Sequence, residues 1–115
     1  MTFVKINNQV YPAIINGKTM DKEWNGRESK AITLEMSYEN ALVIFVDDRP
    51  WSIVHQADSY VGENGNMVTP DPIEYDNSDY SVAGSITDHR NGTVTVKMGK
   101  LTAEEILTEL MGVMV

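Results

Sequence analysis

The sequence predicts an α+β fold: a single small β-rich domain of antiparallel hairpins, with a short central helix and a C-terminal helix packed on the sheet. Three observations lead there. Residues 29–37 alternate, with Ile32, Leu34 and Met36 on one side and Ala31, Thr33 and Glu35 on the other, the period-two pattern of a half-buried strand. Residues 85–107, SITDHRNGTVTVKMGKLTAEEIL, set an Asn-Gly pair between alternating residues, then Gly-Lys-Leu-Thr ahead of an amphipathic run. A chain of 115 residues with 42% hydrophobic content suits one core, so 1–115 reads as a single domain.

Residues 3–6 and 10–15 read as strands parted by Asn7-Asn8, with Asn16-Gly17 and Asn25-Gly26 as further turns. Pro12 cannot donate to a ladder, so it places its strand at an edge or marks a bulge. Residues 38–46 fit two patterns. Ser37 can cap a helix, Glu39 suits a first turn, and Tyr38, Ala41, Leu42, Phe45 and Val46 share one helical face; yet 42–46 is rich in β-branched residues and fits a buried strand. The short helix is the preferred reading. Asp47-Asp48-Arg49-Pro50 ends either one, and residues 51–56 read as a strand.

Residues 57–79 are polar and punctuated by Gly62, Gly65, Pro70 and Pro72, which predicts a mobile acidic excursion or a protruding hairpin with Asn64-Gly65-Asn66 at its tip. The wider span 50–89 holds no Lys or Arg. Register decides the hairpin that follows. A two-residue turn at Asn91-Gly92 would pair Ile86 with Lys97 and mix the faces. A three-residue loop Arg90-Asn91-Gly92, a type I turn followed by left-handed Gly92, pairs His89 with Thr93, Ile86 with Val96 and Gly84 with Met98. It also gathers Val82, Ile86, Val94, Val96 and Met98 on one face. Thr102 and Glu105 make a capping box for a helix whose stripe is Ile106, Leu107, Leu110, Met111 and Met114.

A net charge of −8 repels phosphate backbones and anionic lipid, so neither nucleic acid nor membrane is expected as a partner. The absence of cysteine removes disulfides and thiolate metal sites. The longest apolar run, 41–46, is far short of a membrane span, and no basic segment precedes an apolar one at the N-terminus, so neither insertion nor a cleaved export signal is expected. His55, sharing a strand face with Trp51 and Ile53, and His89, beside a turn with Asp88, Thr93 or water to bond, read as structural histidines. No G-x-S-x-G, H-E-x-x-H, Walker or dinucleotide pattern occurs. Asp71, Glu74, Asp76, Asn77 and Asp79 offer hard oxygen ligands but lack the spacing of an EF-hand loop. The expectation is therefore no catalytic residue, no metal, no cofactor and no enzyme. Residues expected to touch a partner are Leu107, Met111 and Met114 on the C-terminal stripe and Asp71, Glu74 and Asp76 in the acidic segment. The terminal LMGVMV fits a docking surface or a last helical turn covering its own core.

The segments INNQVYPAIINGK, WNGRESKAITLEMSY, FVDDRPWSIV and NSDYSVAGSITDHRNGTVTVKMGKLTAEEIL resemble small late-gene proteins of phages and prophages of Gram-positive, largely Firmicutes, bacteria. The resemblance spans nearly the whole chain and is weakest over about 57–75. It implies a phage context among structural and tail-region genes, and transfers no activity and no functional residue. Three functions are then open. One is a tail-associated structural or assembly component that contacts other phage structural proteins or itself, in the host cytoplasm during assembly or in the virion. Another is a small acidic effector of a basic host or phage protein. The third is a carbohydrate-contacting module using Trp24, Trp51 or Tyr60, although Trp51 fits a core position better.

Overall fold

The computed structural model describes residues 1–113. Thr2–Ile6 (β1) and Gln9–Asp21 (β2) join through Asn7 and Asn8, both left-handed at φ 56° and 62°, as a tight hairpin turn requires. β2 changes partner along its length. Its first residues pair with β1, ending at Phe3 opposite Pro12, and from Ala13 onward it pairs with Arg27–Glu35 (β3). Pro12 thus stands at the changeover, where its missing donor has no β3 ladder to serve. Asn16 and Gly17 form no turn; they lie inside β2 opposite Ala31 and Lys30, because pairing with β3 outweighs local turn propensity.

Seven strands form one antiparallel sheet. Trp51–His55 (β4) pairs with β1, Ile73–Asp76 (β7) lies at one edge beside β4, Thr93–Gly99 (β9) pairs with β3, and Val82–Asp88 (β8) closes the other edge. Both halves feed one core: Val4, Ile6 and Trp51 from the β1–β4 side, and Ile32, Leu34, Val94, Val96 and Met98 from the β3–β9 side. Tyr38–Ile44 forms α1, capped by Ser37 Oγ accepting from the Asn40 amide at 3.1 Å, and Ala41 and Phe45 reach the core. Leu42, expected on the buried face, is about half exposed. Arg49 ends the helix by donating to the carbonyls of Val43 and Ile44 at 3.0 and 2.9 Å.

The last hairpin keeps the expected register, with Ile86 opposite Val96 and the His89 amide donating to the Thr93 carbonyl at 3.2 Å. Its loop is built differently. Gly92 is left-handed at φ 90°, but so is Arg90 at φ 58°, since Asp88 Oδ1 accepts from the Arg90 amide and Asn91 Oδ1 from the Thr93 amide. A register shift between Ala83 and Ile86 sets Ala83 opposite Met98 and Val82 opposite Gly99. Gly84 is therefore not the partner of Met98, and Ala83 replaces Val82 against the core.

Within the acidic span, Tyr60–Val61 (β5) and Met67–Val68 (β6) pair as a separate hairpin with left-handed Gly65 at its tip, and β7 is already part of the main sheet. Hydrogen exchange is expected to run faster over 57–68 than in β3 and β9, and a protected β5–β6 hairpin would show that it is anchored.

Ala103–Val113 forms α2, the C-terminal helix of the α+β fold. The chain has a radius of gyration of 17.3 Å, against about 13 Å for a compact chain of roughly this length. Its longest extent is 65 Å, against 35 and 27 Å across, because neither α2 nor the β5–β6 hairpin packs broadly on the sheet. Among the described residues no helix is long and apolar enough to cross a membrane.

Candidate protein-contact surface

The apolar stripe of α2 is not buried: Ile106 is 45% exposed, Leu107 58%, and Leu110 and Met111 59% each. This overturns the expected packing of the helix on the sheet. Periodicity fixes which residues share a face, not what covers that face. Met114 lies outside the described residues. What holds α2 is polar. Thr102 Oγ1 accepts from the Glu105 amide at 3.2 Å while Glu105 accepts from the Thr102 amide at 2.8 Å, the expected capping box. The Glu105 carboxylate then takes a forked pair of bonds from Arg27 at 2.6 and 2.9 Å, and Arg27 also donates to the Lys100 carbonyl at 2.6 Å.

Arg27 is buried because Trp24 lies over it, with the guanidinium carbon 4.8 Å from the ring centroid. The indole needs two side-chain-free floor positions. A Cβ on Gly84 would stand 2.6 Å from the Trp24 ring, and one on Gly99 2.8 Å from it. Asn25 and Gly26, left-handed at φ 58° and 75°, turn the chain from the Lys22–Trp24 3₁₀ turn back into β3. Beside this assembly Lys97 binds the buried Asp21 at 2.9 Å, and that hydrogen bond holds the Asp21 pKa low.

Arg27, then the Thr102 amide, hold the Glu105 pKa at about 2, down from an ordinary 4.5. A depressed carboxylate stabilises above its unfolded value and loses that contribution as pH falls through its folded one. The Arg27–Glu105 clamp should therefore be intact above about pH 4.5 and lost toward pH 2. Far-ultraviolet circular dichroism should lose helical signal across that window, and Glu105→Gln should remove the dependence.

A second polar cluster closes the sheet. The Tyr80 hydroxyl donates to Glu28, Lys30 donates to Asn77, and Lys100 bridges Glu28 and Asp79 at 3.2 and 3.4 Å. Burial, then the Glu28 carboxylate, push the Tyr80 pKa up to about 12, so the phenol stays a donor. Lys30 and Lys100 lie 4.5 and 5.0 Å from its ring centroid. These groups tie β3, the end of β9 and the β7–β8 connection together.

The acidic residues expected to meet a partner are exposed but not gathered with the helix. Asp71 lies in the β6–β7 connection, while Glu74 and Asp76 share one side of edge strand β7. Glu74 pairs with Lys5 at 3.1 Å, and Asp76 accepts from the Ser78 amide at 3.0 Å. Among the described residues no three His, Asp or Glu side chains gather to hold a metal ion. His55 is exposed at the end of β4, so burial does not make it structural, and His89 bonds Thr95 Oγ1 at 2.7 Å rather than Asp88 or Thr93 through its ring. Trp51 is core as expected, and Trp24 is occupied by the arginine stack; of the three aromatic residues weighed for carbohydrate, Tyr60 alone stands free, at 56% exposure.

Sequence reasoning missed Arg27 and Trp24 as the seat of the helix. The signal lay in Gly84 and Gly99, two side-chain-free positions in otherwise regular strands. Comparison with protein families, with curated proteins and with solved structures gives no match.

Proposed function

We propose that the protein is a non-enzymatic structural or assembly component of a phage or prophage particle, tail-associated, acting through contacts with other structural proteins or with copies of itself. The bare apolar face of α2 is the observation that supports this reading. Four large side chains at helical spacing face solvent on a helix whose root is clamped in a fixed direction. An amphipathic helix held off its own sheet suits recognition by a groove, read through anchors at i, i+3, i+4 and i+7. A cell compartment follows from the same reading: the host cytoplasm during assembly, or the virion.

Mass spectrometry of purified particles tests this, since a virion component occurs at reproducible copy number. A small acidic effector, the second reading, would be absent from particles and would be recovered with a basic protein. Its support is the exposed Asp71 and its neighbours in a span without Lys or Arg. The Glu74–Lys5 pair weakens it by spending part of that charge inside the molecule.

The double variant Leu107→Asp with Met111→Asp separates docking from packing. Both positions are exposed, so thermal and denaturant stability should change by no more than about 0.5 kcal/mol per site. Incorporation into particles should be lost. Unfolding of this variant would mean that the stripe covers the chain's own core.

A further inference from the structure

We infer that α2 of one copy docks on the outer face of β2 in the next copy, joining copies head to tail; this rests on the reading of the protein as an assembly component. The receiving surface is the solvent side of β2. Antiparallel register sets Val10 beside Lys5, Pro12 beside Phe3, and Ile14 beside Thr33. Val10 is 51% and Ile14 66% exposed on β2, the central strand of the seven, with β1 beside the first and β3 beside the second. A groove of about 750 Å³ opens where β2 changes partner, and residues of both faces line it, Pro12, Ile14 and Thr33 from the outer side and Tyr11, Ala13 and Leu34 from the inner.

Charge selects the pairing. The apolar strip of β2 runs from Lys5, whose charge is already paired with Glu74, to Lys18, which makes no ion pair among the described residues and is the cation left to meet the helix. The stripe of α2 is flanked by Glu104 and Glu109, on a helix that carries no cation. Two α2 helices paired with each other would bring these glutamates together, at a cost. An anionic bilayer would repel them, since interfacial helices carry Lys and Arg on the polar face. The same chain's groove is out of line. The Arg27 clamp fixes the helix root six residues along β3 from Thr33, roughly 20 Å away, and α2 itself is about 16 Å long and makes no broad contact with the sheet. A helix-to-face contact that does not satisfy itself within one chain is heterologous and propagates. One short helix covers less than the ~800 Å² per partner of a standard interface, so the contact is weak in solution and is best trapped covalently.

The chain has no cysteine, so engineered ones report a single contact. Ile14→Cys and Leu110→Cys lie at exposed positions and should leave the circular dichroism spectrum unchanged. On mixing the two single variants with oxidised glutathione, the Ile14–Leu110 mixed disulfide should exceed either homodimer several-fold. The double variant should give a ladder of oligomers. Lys18→Glu should lower the mixed yield about two- to fivefold, and Glu109→Lys on the other chain should restore it. Prevalent Leu110 homodimers, an internally bridged monomer, statistical yields, or no effect of Lys18→Glu would each overturn the inference. If particles contain the protein and the mixed disulfide still fails to form, the assembly reading stands and α2 docks on another protein. If the disulfide forms and particles lack the protein, the assembly reading falls while self-docking stands.

Discussion

Replacing Trp51 with alanine is expected to cost about 3–5 kcal/mol, a large part of the ~5–15 kcal/mol that holds a domain of this size. Trp51 is 2% exposed and starts β4, and its ring meets Tyr80 edge-on, with centroids 6.3 Å apart at 65°. Its Nε1 donates to the Tyr80 carbonyl at 3.0 Å. Truncation would leave a void between the β1–β4 and β3–β9 halves and strip that carbonyl of a partner where water does not reach. Denaturant melts should show a lower midpoint with a near-native slope. A loss below about 1 kcal/mol would mean that the two halves do not depend on this ring for cohesion.

Gly99→Ala is the second large effect, expected at about 1–3 kcal/mol from overpacking. A methyl there would lie 2.3 Å from Arg27 Cδ and 2.8 Å from the Trp24 ring. Arg27 cannot swing away freely, because its far end is held by Glu105 and the Lys100 carbonyl. Either the arginine leaves Glu105 or the indole leaves its floor. Both outcomes are visible: Trp24 emission should shift to the red, and α2 should lose helical signal beyond what global stability accounts for. Unchanged emission and stability would show that the stack tolerates the methyl and is not the seat of the helix.

The elements whose pattern is local were legible in the sequence. Alternation from residue 29, the cap at Ser37 and the capping box at Thr102 each depend on neighbours within a few residues, and the structure contains all three, whereas the loop ending at Gly92 keeps its register but adds a left-handed Arg90. The features that escaped are set by distant partners. Asn16-Gly17 has the composition of a turn but lies within a strand because β3 pairs across it. The shift between Ala83 and Ile86 spans Gly84, which lies against Trp24, sixty residues earlier. Whether the α2 stripe is covered is a tertiary fact that its period leaves open. The proposed contact surface was half legible for that reason: Leu107 and Met111 could be read as one stripe, but the strip of Val10, Pro12 and Ile14 emerges only once β2 is seen with its even positions outward.

The clamp also orders events in time. Arg27 and Glu105 are 78 residues apart, and they meet only after β9 has taken its place beside β3 and brought Gly99 under the indole. An isolated helix of eleven residues is marginal in water, so α2 has no stable form or direction until that late pairing is complete. A copy that stalls before then displays a frayed tail in place of an aimed helix. The polar seat thus makes an ordered, anchored α2 a property of chains in which the β3–β9 pairing is already in place.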